Sequence, residues 1–186
     1  MTPANQAGTE STQSGMAPKI LSVVGRSGSG KTTLITRLIP YFVEADIKVG
    51  TVKHTHHNVE FDKPNKDSWR HRAAGASQVL LLSDEKMALF RDREHESDLR
   101  QITKRWFSDF DLVVSEGFKD ENCLKLEVAR KGNRKRPLYL THSYNIQALI
   151  CDYAPPKESI PVFSLEEPQN AFHWICKELD LIRPND

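Results

Sequence analysis

The chain has 186 residues and a near-balanced charge, 26 Lys and Arg against 25 Asp and Glu, formally +1. That balance gives no electrostatic case for nucleic acid as the main partner. No apolar run approaches the roughly 20 residues a membrane helix needs. The length suits one α/β domain and is short for two. Residues 1–17 are rich in Ser, Thr, Gln, Asn and Gly, without a basic start or an apolar core. They read as a disordered tail rather than a secretory signal, with one nucleotide-binding domain over 18–186. The cysteines Cys123, Cys151 and Cys176 are widely spaced and outside any C-x-x-C, which suits free thiols in a reduced cytoplasm.

In chain order, Ile20-Leu21-Ser22-Val23-Val24 is apolar and β-branched, the pattern of a buried parallel strand. It leads into Gly25-Arg26-Ser27-Gly28-Ser29-Gly30-Lys31-Thr32, which meets every required position of the phosphate-loop pattern G-x-x-x-x-G-K-[ST]. Leu34, Ile35, Leu38, Ile39 and Phe42 then recur at helical spacing, predicting a helix from about Thr32 to Glu44 with a kink or early end at Pro40. Strand, glycine loop and helix N-terminus form an anion site, because free N–H groups and the helix dipole face the same way. Lys31 supplies a charge for the β- and γ-phosphates and Thr32 a hydroxyl for Mg²⁺. A nucleoside triphosphate is the expected ligand.

A second strand over 48–53 empties into Lys53-His54-Thr55-His56-His57-Asn58, at the sheet rim where open α/β folds place ligands. Four of the seven histidines, His54, His56, His57 and His71, fall within 18 residues. Three readings stay open for them: a transition-metal site, hydrogen bonding to an anionic ligand, or plain structure. Asp67 or Ser68 is expected to cap a short helix ended by Gly75. Strands at 78–82 and 86–90 pair as a hairpin. A helix from about Ser97 carries Leu99, Ile102 and Trp106 on one stripe.

The run Asp111–Gly117 is a strand that ends in Glu116, placed to meet the metal directly or through water. Another strand, Leu124 to Val128, precedes five basic residues in the seven of 130–136, which suit an acidic ligand or a solvated turn alike. Strands at 147–152 and 160–163 follow, then a helix from about Pro168 with Phe172, Ile175, Cys176 and Leu179 inward. The fold class expected is α/β, a mostly parallel sheet with helices on both faces and an antiparallel extension.

The phosphate loop together with Lys53-His54-x-His56-His57, Asp62-Lys63-Pro64-x-Lys66-Asp67-Ser68-x-Arg70, Ala74-Gly75-Ala76 and Glu116-Gly117-Phe118-Lys119 resembles the MobB family, the adapter proteins of molybdopterin-guanine dinucleotide biosynthesis. The likeness covers about residues 19–152. It implies a P-loop NTPase fold of the dimeric GTPase class, GTP and Mg²⁺ as cofactors, and at most slow hydrolysis. A homodimer is implied, as is a MobA-type guanylyltransferase partner, with molybdopterin as bound substrate. Under the resemblance Gly25, Ser27, Gly28, Ser29, Gly30, Lys31, Thr32 and Thr33 bind phosphate. Thr32, Glu116 and Asp62 lie at the metal, with Asp62 and Asp67 around the attacking water. By their chemistry, His54, His56, His57, Arg70 and Arg72 on the rim suit a second anionic ligand or an acidic face of a partner.

The guanine-reading tetrapeptide [NT]-K-x-D is absent, and Asp152 is the acidic residue placed to substitute for it. Arg26 stands five residues before Lys31, where face-to-face dimeric ATPases carry a lysine that reaches the partner's phosphates, so it is a candidate finger in trans. A small-metabolite kinase and a metal-insertion GTPase are the competing functions.

Overall fold

The computed structural model describes residues 17–55, 59–92, 98–133, 135–141, 143–155 and 160–182. Six strands form one sheet: β1 (Lys19–Val24), β2 (Val49–Lys53), β5 (Leu112–Glu116), β6 (Leu124–Ala129), β7 (Ala148–Cys151) and β8 (Val162–Ser164). Their spatial order is β2-β5-β1-β6-β7-β8, and every pairing is parallel. The antiparallel extension is a separate two-stranded sheet, β3 (Gln78–Leu82) with β4 (Met87–Arg91). Among the described residues the helices are α1 (Lys31–Glu44), α2 (Asp67–Ala73), α3 (Leu99–Trp106) and α4 (Pro168–Glu178), with a short 3-10 turn over Tyr139–Thr141.

Alternation along the strands divides the sheet into two unlike faces. Leu21, Val23, Leu112, Val114, Leu126, Val128 and Ile150 meet Leu34, Leu38 and Phe42 of α1 and Phe172 and Ile175 of α4 in the main core. The opposite face carries buried polar groups. Ser22 and Ser115 are hydrogen-bonded to each other at 2.6 Å, and Glu127 is fully buried. At the β2 edge of this face Gly50 leaves room for the Phe107 ring, which stacks edge-on against Phe110.

Three expectations change in detail. Helix α1 runs through Pro40 to Glu44 without ending there. Proline forfeits one N–H bond, and the buried Leu38 and Phe42 on either side hold the helix to the sheet. On α3 the buried pair is Leu99 and Thr103, four apart, while Ile102 is half-buried and Trp106 lies exposed. Neither Asp67 nor Ser68 caps α2: Lys66 is the N-cap residue, and Ser68 Oγ instead donates to Asp62 at 3.0 Å. Gly75, at φ 106, does close that helix.

Candidate functional site

The site lies at the C-terminal ends of β1, β2 and β5, where parallel register brings three segments level. Val23 and Lys53 are both paired with Glu116. The chain leaves β1 at Gly25, whose φ is 144 and where a Cβ would stand 2.5 Å from the Val128 carbonyl oxygen. Only glycine fits so close to β6. Gly28 and Gly30 take positive φ as well, coiling the loop before α1 begins at Lys31. Helix α1 has no side-chain cap, so its first N–H groups are left for an anion.

The Lys31 ammonium arches back over the loop and donates to the carbonyls of Gly25 at 3.2 Å and Arg26 at 3.1 Å. Thr32 Oγ1 donates to Glu116 Oε2 at 2.7 Å, and Lys53 Nζ lies 3.3 Å from the same oxygen. A hydroxyl and a carboxylate side by side at the mouth of a phosphate loop are the hard oxygen donors Mg²⁺ takes, so Thr32 and Glu116 fit that ion. Glu116 is held in place by backbone bonds on both sides of its residue. His54 N–H donates to its carbonyl, and the next N–H, of Gly117, donates to Val23. The Ser22 hydroxyl, 3.0 Å from the Gly117 carbonyl, anchors the turn that follows.

These groups open onto a cavity of about 580 Å³. Arg26, Lys31, His54, Glu116, Lys119 and Lys135 bring charge or hydrogen-bonding capacity to its wall, and Phe118 and Leu138 supply apolar surface. Lys119 sits on Tyr144, its ammonium 4.9 Å from the ring centre and 3.3 Å from the hydroxyl.

The structure brings together part of the residue set expected from sequence. Gly25, Arg26, Ser27, Lys31, His54 and Glu116 line the cavity, and Thr32 touches Glu116. Arg26 donates from Nε to the Arg136 carbonyl of its own chain at 3.0 Å. Asp62, Asp67 and Arg70 are not in the cavity wall. Asp62 is buried beneath α2 with one oxygen on Ser68, and Asp67 and Arg70 face each other at 4.0 Å on the exposed side of that helix. Asp152 accepts from the Lys131 N–H at 2.9 Å and lies 3.9 Å from Arg130. His56 and His57 fall outside the described residues. Among the described residues no group of three or more His, Cys, Asp and Glu could hold a metal ion.

Sequence reasoning passed over Lys135, Arg130 and Asn133 as individuals, seeing only a basic turn. The signal available was β6 itself: a strand beside β1 delivers whatever follows it to the phosphate loop.

A parallel α/β sheet with a phosphate loop at the end of a central strand defines the P-loop NTPase-like class. Within that class, the family described as "Molybdopterin guanine dinucleotide synthesis protein B" matches residues 20–152. The chain belongs to this MobB family, the adapter proteins of molybdopterin guanine dinucleotide biosynthesis.

It is 39% identical over 136 residues to the molybdopterin-guanine dinucleotide biosynthesis adapter protein of Escherichia coli, covering 72% of this chain and 78% of that one. To the adapter protein of Haemophilus influenzae it is 42% identical over 113 residues, 60% of this chain and 64% of the relative, so just under two thirds of that relative's length is spanned. A crystal structure of molybdopterin-guanine biosynthesis protein B superposes with a TM-score of 0.69 at 33% identity, covering 88% of this chain and 99% of that one.

Proposed function

We propose that this protein is a GTP- and Mg²⁺-binding adapter that assists a MobA-type guanylyltransferase in the cytoplasm, acts as a homodimer, and hydrolyses GTP slowly at most. The observation that carries the reading is the Lys31 ammonium lying on the Gly25 and Arg26 carbonyls, with Thr32 against Glu116 beside it. Lys31 and the loop N–H groups would hold the β- and γ-phosphates, while Thr32 and Glu116 would hold Mg²⁺, which supplies charge neutralisation there. Of the carboxylates named for catalysis, Asp62 accepts from Ser68 through one oxygen, and its other oxygen is buried without a hydrogen-bond partner among the described residues. Asp67 is exposed. Both lie outside the cavity wall, and no attacking water is routed through them. Efficient phosphoryl transfer needs positioned water, metal and a charge-stabilising group together. An adapter does not. Molybdopterin, as the substrate handed to the guanylyltransferase, carries an anionic group that Lys119 and Lys135 suit, with His54 in the same wall.

Thermal unfolding with Mg-GTP and Mg-ATP at matched concentrations tests the nucleotide. At about 100 times Kd the ligand adds roughly 2.7 kcal/mol, a rise of about 5–10 °C in Tm for a domain of this size. Lys31→Ala abolishes the rise and leaves the fold intact. An equal or larger rise with ATP overturns the guanine assignment. Turnover of GTP by the purified protein at about 1–100 s⁻¹, the range of kinases, ends the adapter reading.

A further inference from the structure

The segment that follows β6 grips the phosphate loop from beneath. Arg130 Nε donates to the Ser29 carbonyl at 3.1 Å, and Asn133 Nδ2 donates to the Ser27 carbonyl at 3.3 Å. The Arg130 guanidinium lies so close that a Cβ on Gly30 would stand 3.1 Å from it. The grip is itself anchored. Asp152, at the end of β7, faces Arg130 at 3.9 Å and accepts from the Lys131 N–H.

A trans peptide points its C=O and the following N–H in opposite directions. Fixing the Ser27 carbonyl downward therefore turns the Gly28 N–H upward, and fixing the Ser29 carbonyl does the same for Gly30. The Ser29 N–H is already spent on the Arg26 carbonyl at 3.2 Å. The Gly28 and Gly30 N–H groups are thus turned away from the grip, each oriented by a side chain that holds the carbonyl before it. A nest of aligned N–H groups is what binds phosphate oxygens. Holding it aligned before the ligand arrives lowers the ordering cost of binding.

We infer that Arg130 and Asn133 are positioning residues for the phosphate site, and that Asp152 serves it through Arg130 rather than by reading the base. The inference rests on the nucleotide-binding reading above and deepens it. It also gives part of the basic turn a use: Arg130 is aimed at the Ser29 carbonyl and Asp152 of its own chain, not at an acidic partner.

The test is calorimetric binding of Mg-GTP, Mg-GDP and Mg-xanthosine triphosphate to the full chain and its variants. Arg130→Met, of similar length without charge or donor, weakens GTP and GDP by at least about tenfold each. Arg130→Lys, which can still donate to the Ser29 carbonyl, recovers most of that loss. A merely structural role would show no such rescue. Asn133→Ala weakens both nucleotides in parallel and provides the same test should Arg130→Met fail to fold. Asp152→Asn weakens GTP and xanthosine triphosphate together.

Wild-type protein that binds no nucleotide overturns the site reading and this inference with it. Wild-type binding with unchanged affinity in Arg130→Met and Asn133→Ala overturns the inference alone. A switch of Asp152→Asn from guanosine to xanthosine triphosphate makes Asp152 a base reader and overturns its assignment here.

Discussion

Glu127 is a carboxylate with no exposed surface in the middle of a sheet face, and both its oxygens are in use. They accept from the N–H groups of Leu138, at 2.7 Å, and Tyr139, at 2.8 Å. One residue thereby closes the segment that begins at Arg130 and places Leu138 in the cavity wall. Burial pushes the carboxyl above its ordinary value of 4.5, and the two N–H donors and the Arg26 charge pull it only part of the way back. The native state therefore keeps its proton to a higher pH than the unfolded chain does. This group's contribution to stability is fullest below about pH 4.5 and is lost as pH rises through the raised native value. Glu127→Gln should cost about 1–3 kcal/mol at pH 7, because the amide NH₂ faces an N–H that has lost its acceptor. Urea unfolding of both proteins across that window should show the wild-type advantage shrinking as pH rises. A constant difference would mean that the native carboxyl titrates like the unfolded one.

The same residue shows where a sequence stops being readable. The place of Glu116 beside Thr32 was legible because that carboxylate ends an apolar strand at the sheet rim that holds the phosphate loop. Glu127 sits inside the alternating run LKLEVA, where a charge reads as the solvent face of a strand. Its partners lie 11 and 12 residues on, in a loop without periodicity. For Asp62 the motif-rich stretch suggested chemistry but could not show its local role: one carboxylate oxygen accepts from Ser68, and the other is buried without a hydrogen-bond partner among the described residues.

At the scale of elements, the apolar stripe of α1 was readable because four turns give the helical period room to repeat. Leu34, Leu38 and Phe42 are almost fully buried, and Phe42 meets Phe172 of α4 edge-on at 5.2 Å between ring centres. Helix α3, with eight residues, offers too few repeats to fix which face turns inward. Its Thr103 is buried by sending its hydroxyl to the Arg100 carbonyl, and Trp106 stays outside under the Arg105 guanidinium. Phe42→Ala should therefore destabilise by about 3–5 kcal/mol, the usual cost of an aromatic cavity, whereas Trp106→Ala should stay within about 1 kcal/mol. Chemical denaturation of the two variants distinguishes them. Equal losses would show that α3 carries more of the core than its buried residues indicate.

For the whole molecule, the hairpin β3–β4 is the part that the six-stranded sheet does not absorb. Its pairs Leu80 with Leu89, Leu81 with Ala88 and Leu82 with Met87 alternate across the strands, so both of its faces are apolar. Leu80 is 47% exposed, Leu82 71% and Met87 70%. A two-stranded ribbon is marginal alone in water, and side chains this apolar contribute to stability only if something covers them. The homodimer proposed above offers a second copy of the same ribbon, which is self-complementary under two-fold symmetry. Light scattering should then give twice the 21.2 kDa of one chain. Replacing Leu82 and Met87 with Lys puts two like charges directly opposite each other on the face to be covered, and should give a monomer. The phosphate loop lies at the far sheet's β1, so the monomer should still show the GTP-induced rise in Tm. A wild-type protein that scatters as a single chain would remove the homodimer from the reading. A double variant that remains a dimer would move the interface to another surface, the open β2 edge of the large sheet being the next to test.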